Sequence, residues 1–254
     1  MRNERLEIAA ADLHNGLVPI PEQDDIFVGD GGYTQIGAEF LRYFVEVGGL
    51  RPDQSVLDIG SGIGRITAGL SRYLDPQAGR YIGFDPVQKG VDWCRAAYSH
   101  LPNFQFVWAD IFNELYRPDG AILSTDYTFP CDDDSVDFVI ATSVFTHLYE
   151  QEIGAYLGQI SRVLKHDGRL FSTAYLYEGD QPTQVYIPHL CFNKVDPDHA
   201  YRWHVNGTPP LAAVCYSQSY FTQLIEKHTG RKPDIRQGRW SGGEGPWFQD
   251  LVLL

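Results

Sequence analysis

The sequence predicts an α/β fold in which a parallel sheet carries helices on both faces. Short apolar segments alternate with amphipathic helical segments along the 254 residues, and that order requires parallel strands covered by helices. The first apolar segment, residues 56–59, ends at a turn of alternate glycines over residues 60–64, and a helical pattern follows at once. Such a turn lets the backbone approach a ligand closely, with a helix N-terminus behind it.

Taken in order, residues 1–34 show little periodicity and are expected to form an extended lead-in. A helix is expected from Gln35 to the glycine pair at 48–49, and residues 176–215 interrupt the alternation with prolines and aromatics. Five strands are expected over residues 56–59, 80–84, 104–108, 136–141 and 170–175, helices over 66–74, 87–98, 153–164 and 216–227, and two final strands around Ile235 and over 248–254.

The net charge of −13 and the absence of a Lys/Arg cluster disfavour nucleic acid and anionic membrane surfaces as partners. No stretch reaches the roughly 18 apolar residues of a membrane span. The N-terminus does not resemble a signal peptide. The four cysteines, which lack C-x-x-C spacing, indicate free thiols in a reducing cytoplasm: Cys94, Cys131, Cys191 and Cys215.

Acids stand at the ends of three successive strands. Asp58 lies near the end of the first, Asp85 closes the second and Asp110 closes the third. In a parallel sheet these ends share the edge where ligands bind. Asp85 is placed for a ribose diol and Asp110 for an adenine amine, whereas Asp58 opposes a pyrophosphate and favours a cationic amino group. The glycines read G-x-G-x-G, with Arg65 at the sixth position, which also disfavours a dinucleotide.

These residues resemble those of a known family. Residues 56–65 are similar to motif I of the class I S-adenosylmethionine-dependent methyltransferases, and residues 83–86, 109–111 and 137–140 fall where that family has its later motifs. Further segments look like a bacterial subgroup found in natural-product and glycan biosynthesis: residues 40–44, 143–148 and 248–251.

The resemblance implies a Rossmann-like sheet of seven strands with the last antiparallel, an N-terminal helical extension and an aromatic-rich insertion after strand five. It implies a single domain. Its expected parts are an N-terminal extension and helix (1–50), a cofactor-binding core (51–175), an insertion or lid (176–215), and a C-terminal helix with strands (216–254).

The implied cofactor is S-adenosylmethionine, with S-adenosylhomocysteine as product. By the resemblance, one group of residues surrounds its methionine part, and Asp85 holds the ribose. Ser143 is expected to touch the cofactor or the acceptor. The residues expected around the methionine part are Asp58, Gly60, Ser61 and Gly62. Pro86 is expected to flank the adenine, and Asp110 and Ile111 are expected to read its edge.

His147 follows the fourth strand and is the candidate general base, since a hydroxyl acceptor benefits from proton removal. The alternative is that His147 caps a helix or lines a pocket without moving protons. A hydroxyl oxygen of a small molecule is the expected acceptor, with nitrogen and carbon left open.

Candidate acceptor-binding residues lie in three segments. Residues 29–33 form either a linker or a flap ending in Tyr33, and residues 240–247, starting at Trp240, form either a simple turn or a border of the acceptor site. The insertion forms either a surface excursion or an aromatic acceptor pocket, and its histidines are spaced too widely for a metal site. Its candidates, with the adjoining strand, are Tyr175, His189 and Trp203.

Two other classes stay open beside the methyltransferase. A nicotinamide-dependent reductase would share the sheet, and a non-catalytic partner protein would share the nucleoside pocket. We expect a small-molecule acceptor, no nucleic acid, no membrane and no metal, and we leave a homodimer open.

Overall fold

The computed structural model describes residues 2–27, 29, 31–182 and 190–254. The chain divides into two compact units, each assembled from separate stretches of sequence. The first unit comprises Met1–Asp110, Pro130–Ile140 and Lys165–Gly168, and the second comprises Ile111–Phe129, Ala141–Leu164 and Arg169–Leu254.

The first unit contains a parallel sheet in the order β3-β2-β1-β4. Since β1 pairs with β2 on one side and with β4 on the other, the strand order reverses at β1, where an open parallel sheet places its ligands. The predicted strands are present with small changes of boundary: β1 (Ser55–Ile59), β2 (Arg80–Asp85), β3 (Phe104–Trp108) and β4 (Val136–Ala141).

The described part of the first unit contains four α-helices, the second of which continues as a π-helical turn over Tyr43–Val47. The first of the four corrects the extended lead-in expected for the N-terminus. Residues 2–14 are helical, not extended, because Leu6, Ala9 and Leu13 form a spaced apolar face that is buried. Gly37 permits the helix at residues 33–42 to pack closely on the helix at residues 2–14, since a Cβ at Gly37 would lie 3.1 Å from Leu13 Cδ2. The helices are α1 (Arg2–His14), α2 (Tyr33–Arg42), α3 (Arg65–Tyr73) and α4 (Gln88–Ala97).

In the second unit the last strand is antiparallel, as predicted. It pairs with Phe171 to Ala174 of the long fifth strand, and on its other side with the short strand before it. The fifth strand continues beyond that pairing and is parallel to β8. The elements are α5 (Glu150–Val163), β5 (Leu164–Tyr177), β6 (Phe192–Val195), β7 (Arg202–Val205), β8 (Val214–Ser217), α6 (Gln218–Thr229), β9 (Asp234–Arg236) and β10 (Asp250–Leu253).

The described residues contain ten strands where seven were expected. The three additional strands, β6, β7 and β8, form an antiparallel series that begins inside the predicted insertion. The helix expected from residue 216 starts at Gln218, because the four residues before it belong to β8. The α/β fold class is confirmed. Among the residues that the structure describes, no helix is long and apolar enough to cross a membrane.

Candidate functional site

The glycine turn after β1 has a backbone that only glycine adopts readily. Gly60, Gly62 and Gly64 have φ values of 71°, 56° and 79°, in the left-handed region that a Cβ disfavours. Its N–H groups are bonded within the protein. Gly60 and Ser61 both donate to the carbonyl oxygen of Phe84, at 2.9 and 3.1 Å, and Gly64 donates to that of Ser61 at 3.0 Å.

Asp85 closes β2 and binds the same turn. Its Oδ2 accepts the N–H of Gly62 at 2.8 Å, and its Oδ1 accepts the N–H of Val87 at 2.8 Å. Burial raises the pKa of Asp85 to about 6, and the bonds from Val87 and Gly62 oppose that increase. Asp85 therefore presents a buried carboxylate whose position is fixed by two backbone donors.

Asp58 lies on β1, two residues before the turn, and is 1% exposed. Burial raises its pKa to about 7; the hydrogen bond from Tyr81 opposes the increase and the charge of Asp85 adds to it. The first unit thus brings two mutually repelling buried carboxylates together beside the turn. A cation bound there would relieve the repulsion, whereas an anion would increase it.

The end of β3 supplies the remaining predicted cofactor residues. The N–H of Ala109 donates to the carbonyl oxygen of Asp85 at 3.1 Å, and the indole N–H of Trp108 donates to that of Pro86 at 3.1 Å. These bonds hold the ends of β2 and β3 together, so Pro86 and the partly exposed Asp110 belong to the same edge. In the second unit, the buried Ile111 forms an isolated bridge with Ile122.

Tyr33, predicted to touch the acceptor, lies against the glycine turn. It is 6% exposed, and its hydroxyl donates to the carbonyl oxygen of Ile63 at 2.9 Å. The adjoining Gly29 is bonded through its carbonyl oxygen to a guanidinium nitrogen of Arg65 at 3.0 Å. The predicted flap therefore contacts the turn at Tyr33 and the first residue of α3 at Gly29.

His147 belongs to the second unit and is held in one tautomer. Its Nδ1 lies 2.9 Å from the carbonyl oxygen of Leu211, which can only accept, so the proton is on Nδ1 and Nε2 carries a lone pair. Burial lowers the pKa of His147, and the bond to Leu211 opposes the decrease. A neutral imidazole with an unprotonated Nε2 is the form that a general base requires.

Two neighbours of His147 were not predicted from the sequence. The hydroxyl of Tyr116 lies 3.4 Å from Nε2, with the two rings nearly perpendicular. The side chain of Asn113 donates to the carbonyl oxygen of His147 at 3.3 Å and accepts the N–H of Tyr116 at 3.0 Å. Asn113 therefore fixes both partners. The only signal in the sequence is an Asn that can bond backbone groups two or three residues ahead.

Ser143 adopts a left-handed backbone with φ of 57°, which is uncommon outside glycine. Its N–H donates to Thr173 Oγ1 at 2.8 Å, and its hydroxyl donates to Gln249 Oε1 at 3.1 Å. Thr173 donates to the same amide oxygen. Two segments of the second unit, β5 and the residues before β10, thus hold Ser143 in a strained conformation of the kind that often marks a functional position.

Three of the predicted acceptor-binding residues meet in one buried cluster of the second unit. Tyr175 and Trp240 have ring centroids 5.2 Å apart, and Trp203 packs against the same cluster. Trp240 is 2% exposed and donates its indole N–H to Asp250 Oδ2 at 2.7 Å, so it anchors its loop. His189 lies outside the described residues.

Comparison with known proteins finds methyltransferases among the matches. Residues 57–172 match a family model described as a methyltransferase domain. The chain is 25% identical over 138 residues to the phosphoethanolamine N-methyltransferase of Triticum aestivum. That stretch is 54% of this chain and 24% of the relative, so the match spans about a quarter of the relative's length.

Solved structures share the fold at low sequence identity. A SAM-dependent methyltransferase from Methanosarcina mazei has a TM-score of 0.54 at 15% identity, over 82% of this chain and 95% of that chain. A second neighbour is the 1,6-didemethyltoxoflavin-N1-methyltransferase of Burkholderia thailandensis, solved with 1,6-didemethyltoxoflavin and S-adenosylhomocysteine. Its TM-score is 0.52 at 16% identity, and the alignment covers 100% of this chain and 88% of that chain.

Proposed function

Because this chain carries a class I S-adenosylmethionine-dependent methyltransferase domain, we propose that it transfers a methyl group from S-adenosylmethionine to a small molecule. The favoured acceptor atom is a hydroxyl oxygen, and the favoured setting is natural-product or glycan biosynthesis. The matched stretch covers a quarter of the curated relative, so the proposal rests on the residues of this chain.

The observation that carries the proposal is how the glycine turn uses its N–H groups. Those of Gly60, Ser61, Gly62 and Gly64 all donate to protein oxygens, and the acceptor of Gly62 is itself a carboxylate. A pyrophosphate on this turn would need those donors and would meet the charges of Asp58 and Asp85. A nucleoside that carries a cationic amino acid suits the same arrangement, which favours S-adenosylmethionine over a nicotinamide dinucleotide.

The residues of the first unit fit that cofactor. The buried hydroxyl oxygen of Ser61 has no hydrogen-bond partner among the described residues, so it is free to bond a ligand. Gly60 and Gly62 leave the space of a side chain, and Asp58 supplies the negative charge for the amino group. Asp85 would bind the ribose, and Pro86 and Asp110 would lie at the adenine. When bound, the cofactor supplies a methyl group on a positively charged sulfur.

For a hydroxyl acceptor, His147 would remove the proton. The hydroxyl of Tyr116 lies 3.4 Å from Nε2. The Nε2 lone pair becomes available to the acceptor when that hydroxyl moves away. Burial keeps the imidazole neutral, so it can accept a proton at neutral pH. Positioning of the acceptor against the methyl group would supply much of the remaining acceleration.

On the acceptor side, the favoured substrate is ring-bearing or a sugar because the insertion is rich in aromatic residues. Tyr175 and Trp240 pack on each other in a buried core cluster, so they would support the acceptor site from behind. Ser143, held next to Gln249, offers a polar contact to the same substrate or to the cofactor. Nitrogen is the second candidate acceptor atom, because the Triticum aestivum relative is named an N-methyltransferase. His147 would serve there by deprotonating an ammonium group.

We also propose that the protein acts in the cytoplasm, where thiols stay reduced. Cys94 and Cys215 are buried free thiols, and burial raises the pKa of both, which leaves them unreactive.

The proposed activity is tested by incubating the protein with S-adenosylmethionine and a panel of phenols, sugars and amines. Release of S-adenosylhomocysteine that depends on the acceptor supports the proposal, and NMR of the product identifies the methylated atom. Methylated amines with no methylated hydroxyl would favour the second candidate. Cofactor binding without release across the panel would indicate a non-catalytic nucleoside-binding protein.

A further inference from the structure

Three polar side chains form a buried line behind the glycine turn. Thr67 Oγ1 on α3 lies 2.7 Å from the hydroxyl of Tyr81 on β2, and that hydroxyl lies 2.7 Å from Oδ2 of Asp58 on β1. The three residues are at most 1% exposed. Burying three polar groups is costly unless each finds a partner, and here each of the three is hydrogen-bonded to its neighbour.

The three side chains can meet because Gly83 has no side chain to occupy the space beside the Tyr81 hydroxyl. In the register of β1 and β2, Asp58 stands opposite Gly83, and Tyr81 is two residues earlier on the same face of β2. A Cβ at Gly83 would lie 2.7 Å from the Tyr81 hydroxyl and 2.9 Å from Ser61 Cβ. Any side chain there would displace both the tyrosine hydroxyl and the glycine turn.

The protons in the line have a defined order when Asp58 is ionised. A carboxylate can only accept, so Tyr81 donates to Asp58, and the oxygen of Tyr81 then accepts the proton of Thr67. Thr67 thus holds the Tyr81 hydroxyl in the orientation that points its proton at the carboxylate. A hydrogen bond to the charged form favours that form.

The other groups around Asp58 do not stabilise its charge. Asp85 at the end of β2 repels it, and the Cys94 thiol on α4 is neutral because burial raises its pKa. On β4 the residue in register with Asp58 is Ile140, which is apolar. Tyr81 from β2 acts in the opposite direction through its hydrogen bond to Asp58, and Thr67 from α3 acts through Tyr81.

We propose that Thr67 and Tyr81 are positioning residues that keep the Asp58 carboxylate ionised and oriented for the cationic amino-acid part of the cofactor. The inference rests on the proposed function. It adds that β2 and α3 set the pH above which the cofactor site is charged, through two residues that do not themselves reach the ligand.

The test compares the pH dependence of S-adenosylhomocysteine binding, by calorimetry, in the wild-type protein and in variants. Tyr81→Phe removes the donor and Thr67→Val removes the group that orients it, while Thr67→Ser keeps the hydroxyl. Tyr73→Phe is the matched control, because the Tyr73 hydroxyl is also buried and donates to the Leu50 carbonyl oxygen at 2.9 Å. The ligand's amino group titrates equally in every experiment and cancels.

Tyr81→Phe is expected to bind about fivefold more weakly near pH 7, with the loss approaching about tenfold at lower pH and shrinking toward pH 9, because the pKa of Asp58 rises by about one unit. Thr67→Val should move the pH dependence of S-adenosylhomocysteine affinity in the same direction by a smaller amount. Thr67→Ser should show the same pH dependence as the wild-type protein. Equal loss at every pH in Tyr81→Phe would overturn the inference, as would a Tyr73→Phe curve with the same shift.

A second readout separates this inference from the proposed function. A raised pKa of a buried carboxyl lowers the stability of the ligand-free protein as pH rises through the range between its unfolded and folded values. As pH rises, the stability of Tyr81→Phe, measured by thermal unfolding, should therefore go on falling to a higher pH than the stability of Tyr73→Phe. If the wild-type protein bound no S-adenosylhomocysteine, the proposed function would fail. These unfolding curves would still decide the roles of Tyr81 and Thr67, and parallel curves would refute them.

Discussion

The carbonyl oxygen of Leu211 lies 2.9 Å from Nδ1 of His147 and assigns the ring proton to that nitrogen. The bond joins a short helical turn after β4 to the segment before β8 within the second unit. It leaves Nε2 unprotonated, with the Tyr116 hydroxyl as its neighbour at 3.4 Å. The tautomer thus gives a physical basis to the base role that we propose for His147.

Replacing His147 by alanine is expected to lower turnover by about 10²- to 10⁴-fold, the usual contribution of a general base. Affinity for S-adenosylhomocysteine should stay unchanged, since the predicted cofactor residues lie mainly in the first unit. Steady-state kinetics and calorimetry measure the two quantities. His166→Ala, at a fully exposed histidine, is the control and should leave both unchanged. A His147→Ala protein at full rate would remove the base role.

The pH profile should show His147 in its neutral form over a wide range. Burial lowers its pKa below the ordinary 6.5, and a base works when deprotonated, so the acid limb of kcat should fall below pH 6.5. Single-turnover rates between pH 5 and 8 locate that limb, roughly the interval in which histidine titrates. An acid limb above 6.5 that persists in His147→Ala would assign the titration to another group.

Asp85→Ala is expected to weaken cofactor binding by about 2–3 kcal/mol, through the loss of two charge-assisted hydrogen bonds to the ribose. Part of the loss would come from the turn, because Gly62 and Val87 would lose their acceptor. Asp92→Ala is the control, at an exposed aspartate paired with Arg95, and should bind normally. Unchanged affinity in Asp85→Ala would place Asp85 outside the site.

Gly83→Ala should destabilise the protein by about 1–3 kcal/mol, the usual cost of forcing an extra group into a packed interior. The added Cβ would meet the Tyr81 hydroxyl and Ser61, so cofactor affinity should fall with stability. Gly158→Ala adds the same group in α5, where no atom lies within 4 Å, and should stabilise by up to about 1 kcal/mol. Chemical denaturation compares the two, and equal effects would contradict the close packing at Gly83.

The parts of the fold that the sequence predicts correctly are those with a regular period. The apolar strand before Gly60 and the acids at the strand ends could be read directly, because strand alternation and chain order place them on one edge. Periodicity missed the helix at residues 2–14, although the resemblance implied an N-terminal helical extension, since the buried face of this helix includes the small Ala9 and is interrupted by charged residues. Strands β6 to β8 were missed because aromatic and proline residues there follow no period.

Contacts between elements could not be predicted. The bond from Tyr81 to Asp58 depends on the register of β1 and β2, and its one signal was an isolated glycine within a strand, which often marks a close approach. The place of Tyr116 beside His147 depends on the turn at Asn113. Trp240 could not be assigned to a buried cluster, because its partner Asp250 is ten residues away on β10.

The central claim is that the glycine turn binds a cationic amino-acid nucleoside and not a dinucleotide. Calorimetric titration of the wild-type protein with S-adenosylmethionine and, separately, with NADH and NADPH tests it most directly. We expect saturable binding of S-adenosylmethionine, lost in Asp58→Ala, and no binding of either dinucleotide. Tight binding of NADH or NADPH without binding of S-adenosylmethionine would contradict the account.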